Sequence, residues 1–488
     1  MMCSSVIFRA LLINLLVGCV SSFLVHDAGL TLDVKLDLTH QVSSTDDRFL
    51  GVTLDSTLIL YGHISRMDIS SPLLKTLTQA LSPAYLRVGG TKGDALTFNP
   101  SITGNRNTEF GADIWDKLNN FAHLAKWDMI WDFDYASLYK NYHWDPSNAK
   151  TMLQYSQDHG YKLPCFQLGN EPNLFYYFYH VWVTPQTLAR DYQNFKTDVH
   201  SFPQYRDACI LGPELTDISD PNHKKYITEF LQAGGGKALD GLTIHHYYEC
   251  SNTFPISLGW FMDLRNFEAF ENQLNIATQV VKQYAPGLPL WLSETSTVII
   301  TCPGEPNLRT TYANGFLYLD KLGMSARYGL KHVIRHQFFS QLVNSTYDFT
   351  PFTDYFVTLL YKRLVQGPVF KVLTSTPTVR MYAHCANPDS YQKGAIVVYA
   401  INIESADATL SFSQFHGQQF HLYLLTPGDQ DGLTSKYIAL NDQKLEMNGN
   451  QLPAMNPKVV HGANTVTLRG RSYGFVVLPD ANVDVCKH

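Results

Sequence analysis

A chain of 488 residues with 45% hydrophobic and 16% charged content is ample for a large core and too long for one compact domain of ordinary size. One barrel with a smaller companion fits best. The formal net charge of −6 excludes the global electrostatic footprint of a nucleic-acid binder, so any anionic ligand has to be held by local groups.

From Met1 to about Ser22 the chain carries a lone Arg9, an apolar run from Ala10 to Val20, and the small residues Ser21 and Ser22. This reads as a secretory signal peptide, residues 1–22, with an extracellular destination and the lysosome as the alternative. No later segment has the ~20 apolar residues of a transmembrane helix. Peripheral contact with a cell-surface proteoglycan is the one membrane-side expectation. Secretion permits disulfides. Cys3 and Cys19 fall in the leader, leaving Cys165, Cys209, Cys250, Cys302, Cys385 and Cys486, and spacing alone does not choose among their fifteen pairings. No CxxC pair occurs, so a structural zinc site is not expected; no other metal and no cofactor is expected either. Asn344-Ser345-Thr346 is a glycosylation acceptor.

The alternation from Thr31 to Leu38 predicts a half-buried strand. Eight further strands are predicted at Phe49–Asp55, Tyr85–Gly90, Asp128–Asp134, Cys165–Glu171, Ala208–Leu215, Gly241–Tyr248, Pro289–Thr295 and His332–Phe339. Helical spacing lies between them, for example over Ser71–Ala80, Pro185–Ser201 and Phe267–Tyr284. Eight strands alternating with helices predict an α/β fold, a closed (β/α)8 TIM barrel over residues 49–361. An open dinucleotide-binding sheet is disfavoured because no GxGxxG turn follows the first strand. After about Tyr361 the pattern becomes short β-rich runs at Val372–Tyr382, Gly394–Ile403, Ala408–Phe412, Phe420–Leu425 and Tyr473–Leu478. Residues 362–488 are therefore expected to form an additional β-sandwich domain.

Two of the barrel runs stop in a carboxylate: Cys165-Phe166-Gln167-Leu168-Gly169-Asn170-Glu171 and Leu290-Trp291-Leu292-Ser293-Glu294. Either Glu alone reads as a loop acid or a helix cap. In a parallel barrel, however, the carboxyl ends of all strands share one face, so the two can meet. Glycosidic cleavage needs such a pair, one acid to protonate the leaving oxygen and one carboxylate to attack or to activate water. Arg87 can keep Glu294 ionised, whereas Glu171 has to retain a proton near working pH. Asn170 can bond a sugar hydroxyl, and His246 and Tyr248 offer donors and an aromatic face. One of the paired histidines, His245 and His246, reads equally well as a satisfied core residue. Arg335 and His336 complete a polar ring, with a structural ion pair in the barrel wall as the alternative role for Arg335.

Five blocks carry a resemblance: Ser82-Pro83-Ala84-Tyr85-Leu86-Arg87-Val88-Gly89-Gly90-Thr91-Lys92, Leu168-Gly169-Asn170-Glu171-Pro172-Asn173, His245-His246-Tyr247-Tyr248, Trp291-Leu292-Ser293-Glu294-Thr295-Ser296 and Leu319-Asp320-Lys321-Leu322-Gly323. They resemble the signature blocks of the heparanase family of endo-β-glucuronidases, which includes the leech-type hyaluronidases. The likeness runs from roughly Phe49 to Cys486. It implies a barrel with a β-sandwich built from both chain ends, residues 23–48 contributing to the latter. It also implies retaining hydrolysis of a glycosaminoglycan, with Glu171 as acid/base and Glu294 as nucleophile. Asp55, Thr91, Asn170, His246 and Tyr248 would line the substrate subsite, and Cys385 would pair with Cys486. Heparan sulfate is the first substrate expected, hyaluronan the second, and a non-cutting glycosaminoglycan binder the rival reading.

The chain departs from that family in four places. The insertion that heparanases excise is short here, at Asn99–Phe121, so a single-chain enzyme is expected. The basic cluster after it is replaced by Glu109-Phe110-Gly111-Ala112-Asp113-Ile114-Trp115-Asp116, which weakens binding to a heavily sulfated chain, although Lys224 and Lys225 keep part of a second basic patch. The glycine-rich loop that holds the uronate in the family reads Val298-Ile299-Ile300-Thr301-Cys302-Pro303, and a tyrosine expected after the eighth strand is missing from Ser340-Gln341-Leu342-Val343-Asn344. Cys250 and Cys302, just beyond the sixth and seventh strands, are expected to pair and rebuild this rim. Cys165 and Cys209, inside strands, are expected to be buried thiols.

Overall fold

Eight parallel strands close into a barrel in the computed structural model, which describes residues 29–298, 302–374, 376–462 and 464–487. The predicted signal peptide lies outside the described residues. The barrel strands are β1 (Leu50–Asp55), β2 (Ala84–Gly89), β3 (Trp127–Phe133), β4 (Cys165–Leu168), β5 (Cys209–Thr216), β6 (Gly241–His246), β7 (Leu290–Thr295) and β8 (Val333–Arg335). Each pairs with the next in sequence and β8 pairs with β1, as a right-handed series of strand–helix units requires. Their sequences are nearly continuous apolar runs because both faces are covered; every residue of β6 and of β7 is buried.

The inner face changes character along the barrel axis. Ile130, Cys165, Leu211, Trp291 and Ile334 form a separate apolar cluster with Tyr85 and Cys209 against it, filling the lumen near the amino-terminal end. Two residues further along the same strands, on the same face, stand Arg87, Asp132, Gln167, Ser293 and His336. The apolar layer closes the barrel from below, and the polar layer lies toward the carboxyl ends.

Residues 30–45, before the barrel, form two strands where one was predicted. Leu30–Asp33 pairs in parallel with Ala408–Ser411, whereas Leu36–Thr45 pairs antiparallel with Val365–Val372. They belong to different sheets. The larger continues through Val379–Ala386, Ile396–Asn402, Ser472–Leu478 and Phe420–Pro427, and the smaller is completed by Thr465–Leu468. Leu32, Leu410 and Val466 from the small sheet pack with Phe370, Val398 and Val476 from the large one in a second apolar core. The run predicted as one strand over Val372–Tyr382 is the end of one strand and the start of the next. Among the described residues no helix is long and apolar enough to cross a membrane.

Three disulfides are present among the described residues. Cys385–Cys486 and Cys250–Cys302 agree with expectation. Cys165 and Cys209 are not thiols: they are bonded to each other. The cause is register, since the two residues face one another directly across the β4–β5 pair.

Candidate active site

Glu171 follows β4 with a left-handed backbone (φ +57°), and Glu214 in β5 has the same conformation. Such a conformation is unfavourable for a residue with a side chain, and the neighbouring strand holds both in place. The Glu171 amide donates to the Glu214 carbonyl at 3.0 Å, and a bulge between Gly212 and Leu215 brings the Glu214 carboxylate inward. Glu294 sits in β7. One oxygen each from Glu171 and Glu294, with a ring nitrogen of His245, lie within 4.8 Å of one another. His245 has both ring nitrogens engaged by carboxylates, Nδ1 at 2.9 Å from Glu171 and Nε2 at 2.7 Å from Glu214. These three groups are thus held together by their own hydrogen bonds.

Arg87 is the hub of the polar layer. Nη1 donates to Glu294 at 2.6 Å, Nη2 to Asn170 Oδ1 at 2.8 Å and Asp132 at 3.1 Å, and Nε to Gln167 at 2.8 Å. Nη2 also lies 2.9 Å from Glu214. A fully buried guanidinium satisfied on every side fixes several carboxylates at once. Burial alone would raise Glu294, but His336, His245 and Arg87, with a hydrogen bond from Tyr247 at 2.6 Å, hold it well below the usual carboxylate range. Burial likewise opposes ionisation of Glu214, and Arg87 and His245 outweigh it and lower its pKa. For His245, burial pulls downward, whereas the charges of Glu294, Glu171 and Glu214 push it up to about 10. Asp132 is raised to about 7, burial overcoming Arg87. Glu294 and Glu214 are therefore the ionised partners and His245 an imidazolium.

Asn170 joins this network. Its carbonyl oxygen accepts from Arg87 and its backbone amide donates to Asp94 at 2.8 Å, leaving the side-chain amide as a donor. Asp55 ends β1, accepts from the Thr57 amide at 2.8 Å and lies 3.7 Å from His336. Thr91 is half-buried in the loop after β2, and its carbonyl accepts from Tyr179.

Three expected site residues face the other way. His246 packs against Phe270 and Tyr248, its Nδ1 buried and unpartnered among the described residues, and burial together with nearby Lys321 drives its pKa far down. Tyr248 donates to the Leu317 carbonyl at 3.3 Å and lies under Lys321. Arg335 pairs with Asp354 at 2.8 Å, so its role is the ion pair within the barrel wall. The reason is strand alternation: in His245-His246-Tyr247-Tyr248 the odd-numbered pair reaches the cleft and the even-numbered pair the helical layer, just as His336 faces inward and Arg335 outward.

The residues overlooked in the sequence are Glu214, Gln167, Asp94 and Asp132, together with the inward-facing His245 and Tyr247. One signal for Glu214 exists, an acid inside the apolar run Ile210-Leu211-Gly212-Pro213-Glu214-Leu215.

The rim is stitched across the loops after β6 and β7. Besides Cys250–Cys302, the Ile256 amide donates to Pro303 at 2.9 Å and the Glu305 amide to Ile256 at 3.1 Å. Gly304 between them (φ +110°) lies so close to the Ile256 backbone that no side chain fits. Residues 299–301 of the altered loop are outside the described residues. After β8, the Gln337 side chain donates to Ser340 at 3.1 Å and accepts from the Asp55 amide at 3.2 Å. Residues 97–125 are a three-stranded sheet and the helix Ala112–Ala125, in which Glu109 binds Asn99 and Asp113 binds the Gly104 amide. Those acids serve the local fold. Asn344 is exposed, and its amide donates to Asp348 at 2.6 Å.

Comparison with known proteins places the chain in a family. The chain is 30% identical to heparanase of Mus musculus, covering 93% of this chain and 94% of that protein. It is 29% identical to hyaluronoglucuronidase of Hirudo nipponia (93% and 99%) and 28% identical to inactive heparanase-2 of Homo sapiens (93% and 90%). The fold matches a solved 4-O-alpha-L-rhamnosyl-beta-D-glucuronidase from Fusarium oxysporum with a TM-score of 0.67 at 16% identity, covering 92% of this chain and 100% of that one. The model of the glycosyl hydrolase family 79 N-terminal domain matches residues 31–323. With that match over more than half its length, the chain belongs to glycosyl hydrolase family 79, in its heparanase branch, and is a glycoside hydrolase.

Proposed function

We propose that the protein is a secreted, retaining endo-β-glucuronidase that cuts a glycosaminoglycan internally, with heparan sulfate as first substrate and hyaluronan as second. The observation that carries this reading is the approach of the Glu171 and Glu294 oxygens to within 4.8 Å. Retaining enzymes hold their carboxyl groups at ~5–5.5 Å, whereas inverting ones leave ~6.5–9.5 Å for a water. Glu294, ionised between Arg87 and Tyr247, attacks the anomeric carbon. The proton for the departing oxygen comes from the Glu171–His245 pair, and Glu171 delivers it because its side chain is 12% exposed while that of His245 is 0%. Water then enters on the same face, Glu171 takes its proton, and Glu294 is released. The Asn170 amide donates to a sugar hydroxyl beside the scissile bond. No step calls on a metal or cofactor. Asn344 carries a glycan on its exposed loop.

The relatives support the substrate class: one is named a heparanase and another a hyaluronoglucuronidase. The rival, a non-cutting glycosaminoglycan binder akin to inactive heparanase-2, is disfavoured by the complete carboxylate pair. Incubating the secreted protein with heparan sulfate, hyaluronan and chondroitin at mildly acidic pH, then sizing the products, tests the reading. Oligosaccharides from one polymer are expected, and Glu171→Gln is expected to suppress them; intact polymers, or full activity in that variant, contradict it.

A further inference from the structure

Twelve large hydrophobic side chains are exposed among the described residues, and seven of them lie in loops at the carboxyl ends of barrel strands. That is the face on which Glu171 and Glu294 open. Four of the seven, Tyr176, Tyr177, Phe178 and Trp182, follow Glu171 within its own loop, and Tyr142 lies in the adjoining loop after β3. Tyr177 is 77% and Trp182 72% exposed. Solvated rings gathered beside a catalytic cleft mark a binding surface, whereas single scattered ones do not.

The ledge is anchored from beneath. Phe175 is buried and stacks on Tyr135 at 5.6 Å, and Tyr135 stacks on Tyr139 at 5.6 Å. Tyr179 reaches across to the Thr91 carbonyl of the β2 loop, and Tyr176 stands edge-on to Trp182 at 6.2 Å. The inner rings hold the segment and the outer ones stay free. From Phe175 to Val183 the sequence FYYFYHVWV contains no Lys, Arg, Asp or Glu, and the exposed His180 is its one side chain able to carry a positive charge toward a sulfate or carboxylate. What such rings do match is the C–H face of a pyranose.

We propose that Tyr176, Tyr177, Phe178 and Trp182 form a sugar-stacking platform, an outlying subsite for further sugars of the same chain that is cut at Glu171, and that it recognises ring faces in poorly sulfated stretches. This rests on reading the cleft as a polysaccharide site, with which the ledge is continuous through the Glu171 loop.

The test uses the full-length Glu294→Gln protein, which holds polymer uncut, with and without the pair Tyr177→Ala and Trp182→Ala. Binding of unsulfated hyaluronan of graded length, and of heparin, is measured at two salt concentrations. The expected result is about tenfold weaker binding of long hyaluronan, by the worth of an aromatic contact, equal at both salts. Trp182→Phe is expected to restore most of it with an unchanged melting temperature, which separates the ring's role from the fold's. Binding that is undiminished, that weakens only at low salt, or that is absent in the parent overturns the platform. Polymer cleavage by the unmutated protein is scored separately. Cleavage with undiminished binding in the pair variant sinks the platform alone, whereas weakened binding with no cleavage sinks the hydrolase reading alone.

Discussion

His245 Nδ1 lies 2.9 Å from Glu171 Oε1, so the candidate acid is joined to a buried imidazole whose other nitrogen is bound to Glu214. Glu214→Gln removes the far anchor while leaving the cleft surface unchanged. We predict a fall in kcat of roughly tenfold to a hundredfold with little change in KM, since the loss affects proton transfer. The alkaline limb of the kcat profile, which reports loss of the donor's proton, is also expected to move. A purely structural role would lower the amount of folded enzyme without shifting the profile.

Arg87→Lys tests the hub. A lysine cannot reproduce the fork that meets Glu294, Asn170, Asp132 and Gln167 together. A kcat loss of about 10²-fold or more is expected, with a lowered melting temperature, because buried acceptors are left unpaired. Near-normal turnover would show that Glu294 does not depend on this cation.

The contribution of His245 to stability should decline as pH rises above about 6.5. His245 is raised to about 10 in the folded state, so its contribution is complete below its unfolded value of about 6.5 and disappears as pH passes through 10. Asp134, raised by burial to about 7, acts in the same direction, because its ionisation opposes folding between its unfolded value of about 3.9 and pH 7. Glu294 and Glu214 are lowered, so their contribution is present above about 4.5 and is lost only on further acidification. The stability difference between the parent and His245→Gln should therefore be largest below about pH 6.5 and shrink as pH rises toward 10. A melting-temperature difference between the two proteins that stays constant up to pH 9 contradicts this.

The two disulfides of the barrel should separate function from stability. Cys165–Cys209 joins neighbouring strands across a separation of 44 residues, and replacing both with serine is expected to cost about 2–4 kcal/mol. Cys250–Cys302 ties two rim loops, and its removal is expected to raise KM several-fold with a smaller effect on unfolding. Chemical denaturation and steady-state kinetics on both variants distinguish the cases.

Much of this architecture is legible in the residues. The barrel strands stand out because strands covered on both faces are almost wholly apolar, and Glu171, Glu294 and Arg87 stand out because each breaks such a run. Facing is harder to read. The register shifts between Ile244 and His245 against β7, so the strand pattern alone does not tell His245 from His246. Glu214 is obscured because Gly212-Pro213 resembles a turn, while the fold uses those residues for a bulge. The Cys165–Cys209 bond depends on strand register, a tertiary property with no signature in spacing. Thr31–Leu38 reads as one strand because the alternation runs through it unbroken, and only the two sheets divide it.

The central claim is that Glu171 and Glu294 act as a retaining pair, and the anomeric configuration of the first-formed product tests it most directly. Proton NMR during early hydrolysis of a defined glucuronide-containing oligosaccharide should show the β-anomer appearing first, with the α-anomer growing in only by mutarotation. The α-anomer appearing first contradicts the account, because a water and not Glu294 would then have attacked the sugar.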